Sequence, residues 1–376
     1  MKKNDKKPDY AGMIEFTPDP DFERLRRAAN RKTNRIIPFF ELYADAPNIR
    51  RLLGPQAMPE PLQTDLGENQ SCFKEEVIKD IAEYQYRMGF DFTYAISGVS
   101  FTRTENHHTD TTKEQGRDFF SSDVITIKTR SDYEKYKWPD VHAIKKAAEG
   151  AVQNYREAKK YARPGMGVIG RIPGPFEEII MLLGYEGIAY QMADDDALVS
   201  EIARRIGETL YRFTEIVCAC PGVDGFWMGE DMGFKTSIML PPAWMRAHIF
   251  PWHKKIARLC RDAGKLIILH SCGNLDLIYD DIIDSGFQAK HSFEDTIEPV
   301  WSVQKRIGSL IALFGGLDVD FITRKTREEV IERTKYILDS CACETGYAFG
   351  SGNSVADYIN FENYITALNT ARKWSH

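Results

Sequence analysis

No apolar run in this chain approaches the roughly 20 residues needed to cross a bilayer, so no membrane span is expected. Blocks of basic residues are also missing. The formal net charge is -6, which argues against nucleic acid as a partner. Cysteine is sparse and odd in number, with seven spread over 376 residues. That pattern fits reduced thiols in a cytoplasm better than a disulfide framework. The charged start, Met1 to Lys7, is followed by no apolar segment, so no signal peptide is expected. Neither a P-loop nor a G-x-G-x-x-G after a strand occurs, which leaves nucleotide binding without support. No Gly/Ser-rich or charged linker divides the chain. A small-molecule substrate is the expectation that remains, and a homodimer is compatible with it.

What the sequence does have is a series of short apolar runs alternating with amphipathic stretches. Strands are expected at Ile36–Tyr43, Asp91–Ser97, Gly165–Ile172, Val223–Met228, Leu266–Leu269, Gln288–Phe293, Ser309–Phe314 and Tyr347–Gly350. Helices are expected between them, including Glu75–Met88, a long one after Asp140, Phe176–Val217 with a break near Gly184, Pro241–Ala263 and Thr326–Cys341. Eight strand–helix units at this spacing predict a (β/α)8 TIM barrel. The polar stretch Thr102–Gly116 reads as an inserted hairpin or lid, with Val124–Lys128 as one of its strands. Residues 1–34 read as an extension bearing a short helix from Asp21 to Arg31. The barrel domain then spans 35–376.

Barrel enzymes place their chemistry at the carboxyl ends of the strands. The candidates are therefore Glu41, Ser97, Arg171, Glu230, Asp231, His270, Cys272, Glu294, Asp318 and Ser351, each at the end of an expected strand. The run Leu266–Leu269 ends in His270-Ser271-Cys272-Gly273-Asn274. Residues two apart on a strand share a side, so His270 and Cys272 can converge on one point. Imidazole and thiolate together suit zinc, and a catalytic zinc needs a third protein ligand. Glu230 or Asp231 could supply it, and both are candidates for acid–base work. Arg171 is a candidate for holding a substrate carboxylate or phosphate, or else it pairs with a neighbouring strand end. Cys218-Ala-Cys220 and Cys341-Ala-Cys343 lack second pairs and read as packing. His107 and His108 read as loop residues, and His248 and His253 as surface residues.

Four segments carry a resemblance to a known family. They are Gly174–Gly187, Asp231–Ser237, Leu269–Asn274 and Gly350–Gly352. In order and spacing they resemble the uroporphyrinogen decarboxylase superfamily over roughly residues 35–374. That superfamily also holds the cobalamin-dependent methyltransferases that alkylate coenzyme M. The resemblance implies a (β/α)8 barrel. True decarboxylases carry Arg-Gln-Ala-Gly-Arg after the first strand, where this chain has Phe40–Asp45 with two acids and no Arg. They place an Asp after the second strand, where this chain has Ser97-Gly98-Val99, and a His near the eighth, where it has Ser351. The methyltransferase branch binds zinc through His-x-Cys, matched by His270 and Cys272, and a later Cys, replaced here by Ser351. The resemblance thus implies a methyltransferase that works with zinc and with a corrinoid held by a partner protein. Two alternatives are a decarboxylase-type lyase and a non-catalytic corrinoid- or tetrapyrrole-binding protein. Glu41, Arg171, Ser97 and Ser351 are the expected substrate contacts.

Overall fold

The computed structural model describes residues 8–67, 70–96, 98–103, 125–343 and 346–374. Its centre is a parallel sheet of seven strands in sequence order. An antiparallel hairpin precedes it, formed by β1 (Gln63–Gly67) and β2 (Gln70–Phe73). The parallel strands are β3 (Phe92–Ala95), β4 (Gly167–Pro173), β5 (Gly225–Gly229), β6 (Leu266–His270), β7 (Ala289–His291), β8 (Ala312–Phe314) and β9 (Tyr347–Ala348). Helices separate them and cover the outer face, so both faces of every strand are buried. That is why β5 and β6 read as continuous apolar runs with no alternation.

The sheet curls into a half-barrel of the TIM type. Phe40 shows the curl directly. Its ring lies 5.2 Å from Phe314 on β8 and 5.6 Å from Phe92 on β3, so one side chain spans the two sides of the interior. The neighbouring Phe39 forms a parallel bridge to Phe349, just past β9. The strand expected over Ile36–Tyr43 is thus reduced to isolated bridges. Pro38 explains part of this, because it offers a carbonyl to Phe349 but no N–H to a ladder.

Other expectations shift in detail. The helical stretch 176–217 breaks twice, at Gly184 as expected and again at Asp195, whose carboxylate caps Leu198. The stretch 241–263 breaks at Ile249, because Pro251 can sit only in the first turn of a helix. Most of the stretch expected as an inserted hairpin lies outside the described residues. Within 125–128 no strand forms; Thr126 and Ile127 instead donate their amides to the Leu182 carbonyl. The hairpin β1–β2 and the helix Ala46–Leu53 were not anticipated.

One end of the sheet is closed by the helix Phe22–Ala29. Its residues grip the chain just before several strands. Phe22 N–H donates to Gly165 O, Arg24 Nη2 sits 2.7 Å from Asp91 Oδ1, and Arg26 Nη2 donates to Asp224 O. The opposite end, where the strands finish, carries the exit loops. No helix among the described residues is long and apolar enough to cross a membrane.

Candidate metal centre at the end of β6

Each residue of the His-Ser-Cys-Gly-Asn run after β6 has an identifiable task. Gly273 has φ +84, and a Cβ there would lie 2.1 Å from Gly233 O. Only glycine permits that conformation and that approach. The exit loops of β5 and β6 therefore touch backbone to backbone, with Asn274 N–H donating to Phe234 O at 2.7 Å. Ser271 Oγ accepts the Met232 amide, and Asp231 Oδ1 accepts the Cys272 amide at 2.9 Å. Asn274 Oδ1 accepts the Asp276 amide and starts the next helical turn. Together these bonds fold Asp231 over the end of β6.

The outcome is a cluster of three possible metal ligands from two adjacent loops. One donor atom each of Asp231, His270 and Cys272 lie within 4.8 Å of one another. Cys272 Sγ is 3.4 Å from His270 Nε2, which is 3.5 Å from Asp231 Oδ1. Ligands bound at about 2.0–2.3 Å to one tetrahedral ion stand about 3.3–3.6 Å apart. The donor set fits zinc in spacing and in chemistry, and three protein ligands leave a fourth position open.

The electrostatics point the same way. Burial, reinforced by the nearby Lys290 and Arg171 charges, pushes His270 down to about 4 against the pull of Asp231. The imidazole is therefore neutral at pH 7 and keeps a lone pair. Burial first, and the Asp231 charge second, push the Cys272 thiol well above its usual range. Yet Asn353 Nδ2–H donates to Cys272 Sγ, and Ser292 Oγ lies 3.3 Å from it, as befits a sulfur that carries charge. A cation at this point removes the conflict, since thiolate and carboxylate are then attracted to it rather than opposed to each other.

The cluster lines a cavity of about 470 Å³. Arg171, Glu177 and Trp227 form part of its wall, with Leu42, Tyr43 and Ile96 supplying apolar surface. Arg171 Nη2 stands 3.5 Å from Glu177 Oε2, and its guanidinium lies 5.6 Å from the Trp227 ring centre. Arg171 Nε has no partner among the described residues. Burial, aided by the charges of Asp231 and other nearby acids, pushes Glu177 up to about 8 despite Arg171. At neutral pH it holds a proton.

Other sequence candidates have different surroundings. Glu230 adjoins Asp231 and also lines the cavity, but its carboxylate is engaged elsewhere. It is fully buried, and its two oxygens accept the Phe176 and Glu177 amides and meet His253 Nε2 at 2.6 Å. It caps the helix Pro175–Leu183, and a Cβ on Gly174 would fall 1.9 Å from its Oε2. With its oxygens so engaged, Glu230 does not join the His–Cys pair; Asp231 does. His253, expected on the surface, is fully buried as its partner.

Glu41 and Ser351 lie together, apart from the cluster. Neither lines the cavity. Glu41 takes the Ser351 amide on Oε1 and faces Ser351 Oγ at 2.6 Å through Oε2, while Tyr364 O–H donates to Oε1. The two residues satisfy each other and leave nothing for a substrate. Ser97 lies outside the described residues. His291, Ser292, Asn353, Glu177 and Trp227 were not anticipated. A register argument could have found His291, because β6 and β7 pair His270 with His291 side by side.

With this geometry in hand, comparison with known proteins adds the following. The sequence profile of the uroporphyrinogen decarboxylase (URO-D) family matches residues 123–374. No curated protein sequence matches. Among solved structures, a methyltransferase from Methanosarcina mazei is similar with a TM-score of 0.70 at 15% identity, over 94% of this chain and 98% of that one. An old yellow enzyme homologue from Zymomonas mobilis has a TM-score of 0.40 at 12% identity, over 72% of this chain and 74% of that one. The first likeness shows a shared fold along nearly the whole chain.

Proposed function

This chain belongs to the uroporphyrinogen decarboxylase family, and within it we propose a zinc-assisted methyltransferase that moves a methyl group between a small-molecule heteroatom and a corrinoid carried by a partner protein. The observation that carries the proposal is the convergence of Asp231, His270 and Cys272 beside a cavity, with His270 Nε2 at tetrahedral spacing from both of the other donors. The likeness in fold to a methyltransferase supports it.

In this reading His270 Nε2, Cys272 Sγ and Asp231 Oδ1 hold the ion. Zinc bound there supplies Lewis acidity, polarising a donor heteroatom or lowering the pKa of a substrate thiol. The remaining steps belong to the protein. Asn353 holds the Cys272 sulfur in place by its amide hydrogen bond. Trp227 and Ile96 give the substrate an apolar wall, and Arg171 turns a cation toward it. When the heteroatom–carbon bond breaks, the electron pair stays on the heteroatom, and Glu177 is placed to give it a proton. The neutral state of Glu177 near pH 7 suits that role.

The decarboxylase reading is weaker on charge. Among the residues lining this cavity, Arg171 is the sole fixed cation, set against the carboxyl groups of Glu177, Glu230 and Asp231. A polycarboxylate substrate needs the opposite balance. A metal-free binding protein is disfavoured because His270 and Cys272 stand together with a carboxylate.

The test uses zinc-loaded protein with methylcobalamin and a panel of thiols, and with cob(I)alamin and methylated donors. Transfer is followed by the visible spectrum of the corrinoid. Turnover by the wild type that is lost in Cys272→Ala is expected. No transfer by zinc-loaded wild type across both panels contradicts the proposal.

A further inference from the structure

The side chain of His291 lies outside the three-ligand cluster, yet it is fully buried and meets His270 nitrogen to nitrogen. The two Nδ1 atoms are 2.9 Å apart. The rings are tilted by 31° with centres 5.2 Å apart. The contact follows from the fold, because the β6–β7 ladder pairs these two residues and so turns both rings into the barrel.

At 2.9 Å one nitrogen must donate and the other accept. Two N–H groups would collide, and two lone pairs would repel. Two neutral arrangements satisfy the contact. In one, His291 Nδ1–H donates to His270, which moves the His270 proton to Nε2. In the other, His270 Nδ1–H donates to His291, which leaves His270 Nε2 as a bare lone pair and moves the His291 proton to its Nε2. The surroundings of His291 distinguish them. Its Nε2 has no hydrogen-bond partner among the described residues. Ser351 O and His291 Nε2 both lie within 3 Å of the point where a Gly315 Cβ would be. The polar atom that shares this small space with Nε2 is thus an acceptor, beside which an Nε2–H is favoured over a bare lone pair. The remaining surface of the ring is packed against Phe40, 5.2 Å away between centres.

We propose that His291 is a positioning residue that fixes the tautomer of His270, so that His270 presents an unprotonated Nε2 to Asp231 and Cys272. Protons then run in one direction, from His291 Nε2 toward Ser351 O and from His270 Nδ1 to His291 Nδ1. A metal-binding histidine is commonly oriented by what its other nitrogen donates to. In this chain the acceptor is a second histidine, built on the adjacent strand. The significance for metal binding rests on the zinc reading above; the tautomer itself does not.

Two measurements separate those questions. The first is nitrogen-15 NMR of histidine-labelled, metal-free protein, assigned with His270→Gln and His291→Gln. His270 is expected to show protonated Nδ1 and unprotonated Nε2, and His291 the reverse. A protonated Nε2 on His270 overturns the proposal, whatever metal does. The second is competition titration of zinc and cobalt(II) against a chelator. His291→Phe keeps the ring but removes the acceptor, and should weaken metal binding about 10–100-fold. His291→Gln keeps an acceptor oxygen and should restore much of that loss, with thermal unfolding recorded for both. Wild-type affinity in His291→Phe, or equal weakening in folded Phe and Gln variants, overturns the positioning role. A wild type that takes up neither metal sinks the zinc reading and leaves the NMR result to decide the tautomer.

Discussion

The ends of β6 and β9 are built from similar parts and end up in opposite states. At β6 a carboxylate, an imidazole and a thiol face one another around a shared point, and the carboxylate takes the Cys272 amide but no ion pair with a lysine or arginine among the described residues. At β9 a carboxylate, a hydroxyl and a phenol close on one another, with Glu41, Ser351 and Tyr364 all buried. Strand-end position alone does not make a site. What separates the two is whether the polar groups complete their own bonding or leave a coordination sphere to be filled.

The largest expected break of this contrast is at Asp231. Asp231→Ala removes a proposed ligand, and zinc affinity should fall more than the 10–100-fold typical of an outer partner, on the order of a thousandfold. Chelator competition measures it, and an unchanged affinity would remove Asp231 from the site. Its neighbour should behave differently. Glu230→Ala leaves the Phe176 and Glu177 amides and His253 without their acceptor. That should cost about 3 kcal/mol of stability in denaturant unfolding while the zinc-to-protein ratio of the folded protein stays the same.

Glu41 sharpens the contrast through pH. Burial pushes it up to about 7 from 4.5, against its hydrogen bonds from Ser351 and Tyr364. The folded state therefore holds this proton more tightly than the unfolded state. The resulting stability is fully present below about pH 4.5 and is lost as pH rises through about 7, a change on the order of 3 kcal/mol. A protonated Glu41 also explains the bonding around Ser351. Glu41 can donate to Ser351 Oγ, which is then free to donate to Asn353 O at 3.1 Å. Glu41→Gln imitates that form, so its unfolding free energy should lack this slope and exceed that of the wild type above pH 7. A variant less stable than the wild type at pH 8 would mean that burial does not raise Glu41 in the fold.

The smallest effect is expected at Ser351→Cys. Ser351 Oγ is turned toward Glu41 and Asn353 O, away from the cluster. A thiol there should leave zinc affinity within about twofold, the additivity expected of separate sites. A large gain in affinity would show that the end of β9 can still reach the metal.

The unequal legibility of these two ends has a physical basis. The apolar run of β6 and the residues after it are local, so His270 and Cys272 could be placed on one side by the period of a strand. Glu230 and Asp231 are adjacent, but sequence alone does not say which of the two joins His270 and Cys272. That is set by the contact of Gly273 with Gly233 across two loops. Glu41 and Ser351 lie at opposite ends of the chain, and their mutual satisfaction exists only once Phe39 bridges Phe349. His291 was hidden because β7 is only three residues long and was expected to end two residues later. The repeating strand–helix order was plain from β3 onward, most clearly at β5 and β6, where burial on both faces leaves an unbroken apolar run.

The central claim is that Asp231, His270 and Cys272 form a metal site while the end of β9 does not. Metal content by mass spectrometry, after incubation with zinc and gel filtration, tests it most directly on wild type, Cys272→Ala and Ser351→Ala. About one zinc per chain is expected in the wild type and in Ser351→Ala, and none in Cys272→Ala, as three ligands with one open position require. No zinc in the wild type, or equal zinc in the wild type and Cys272→Ala, would contradict it.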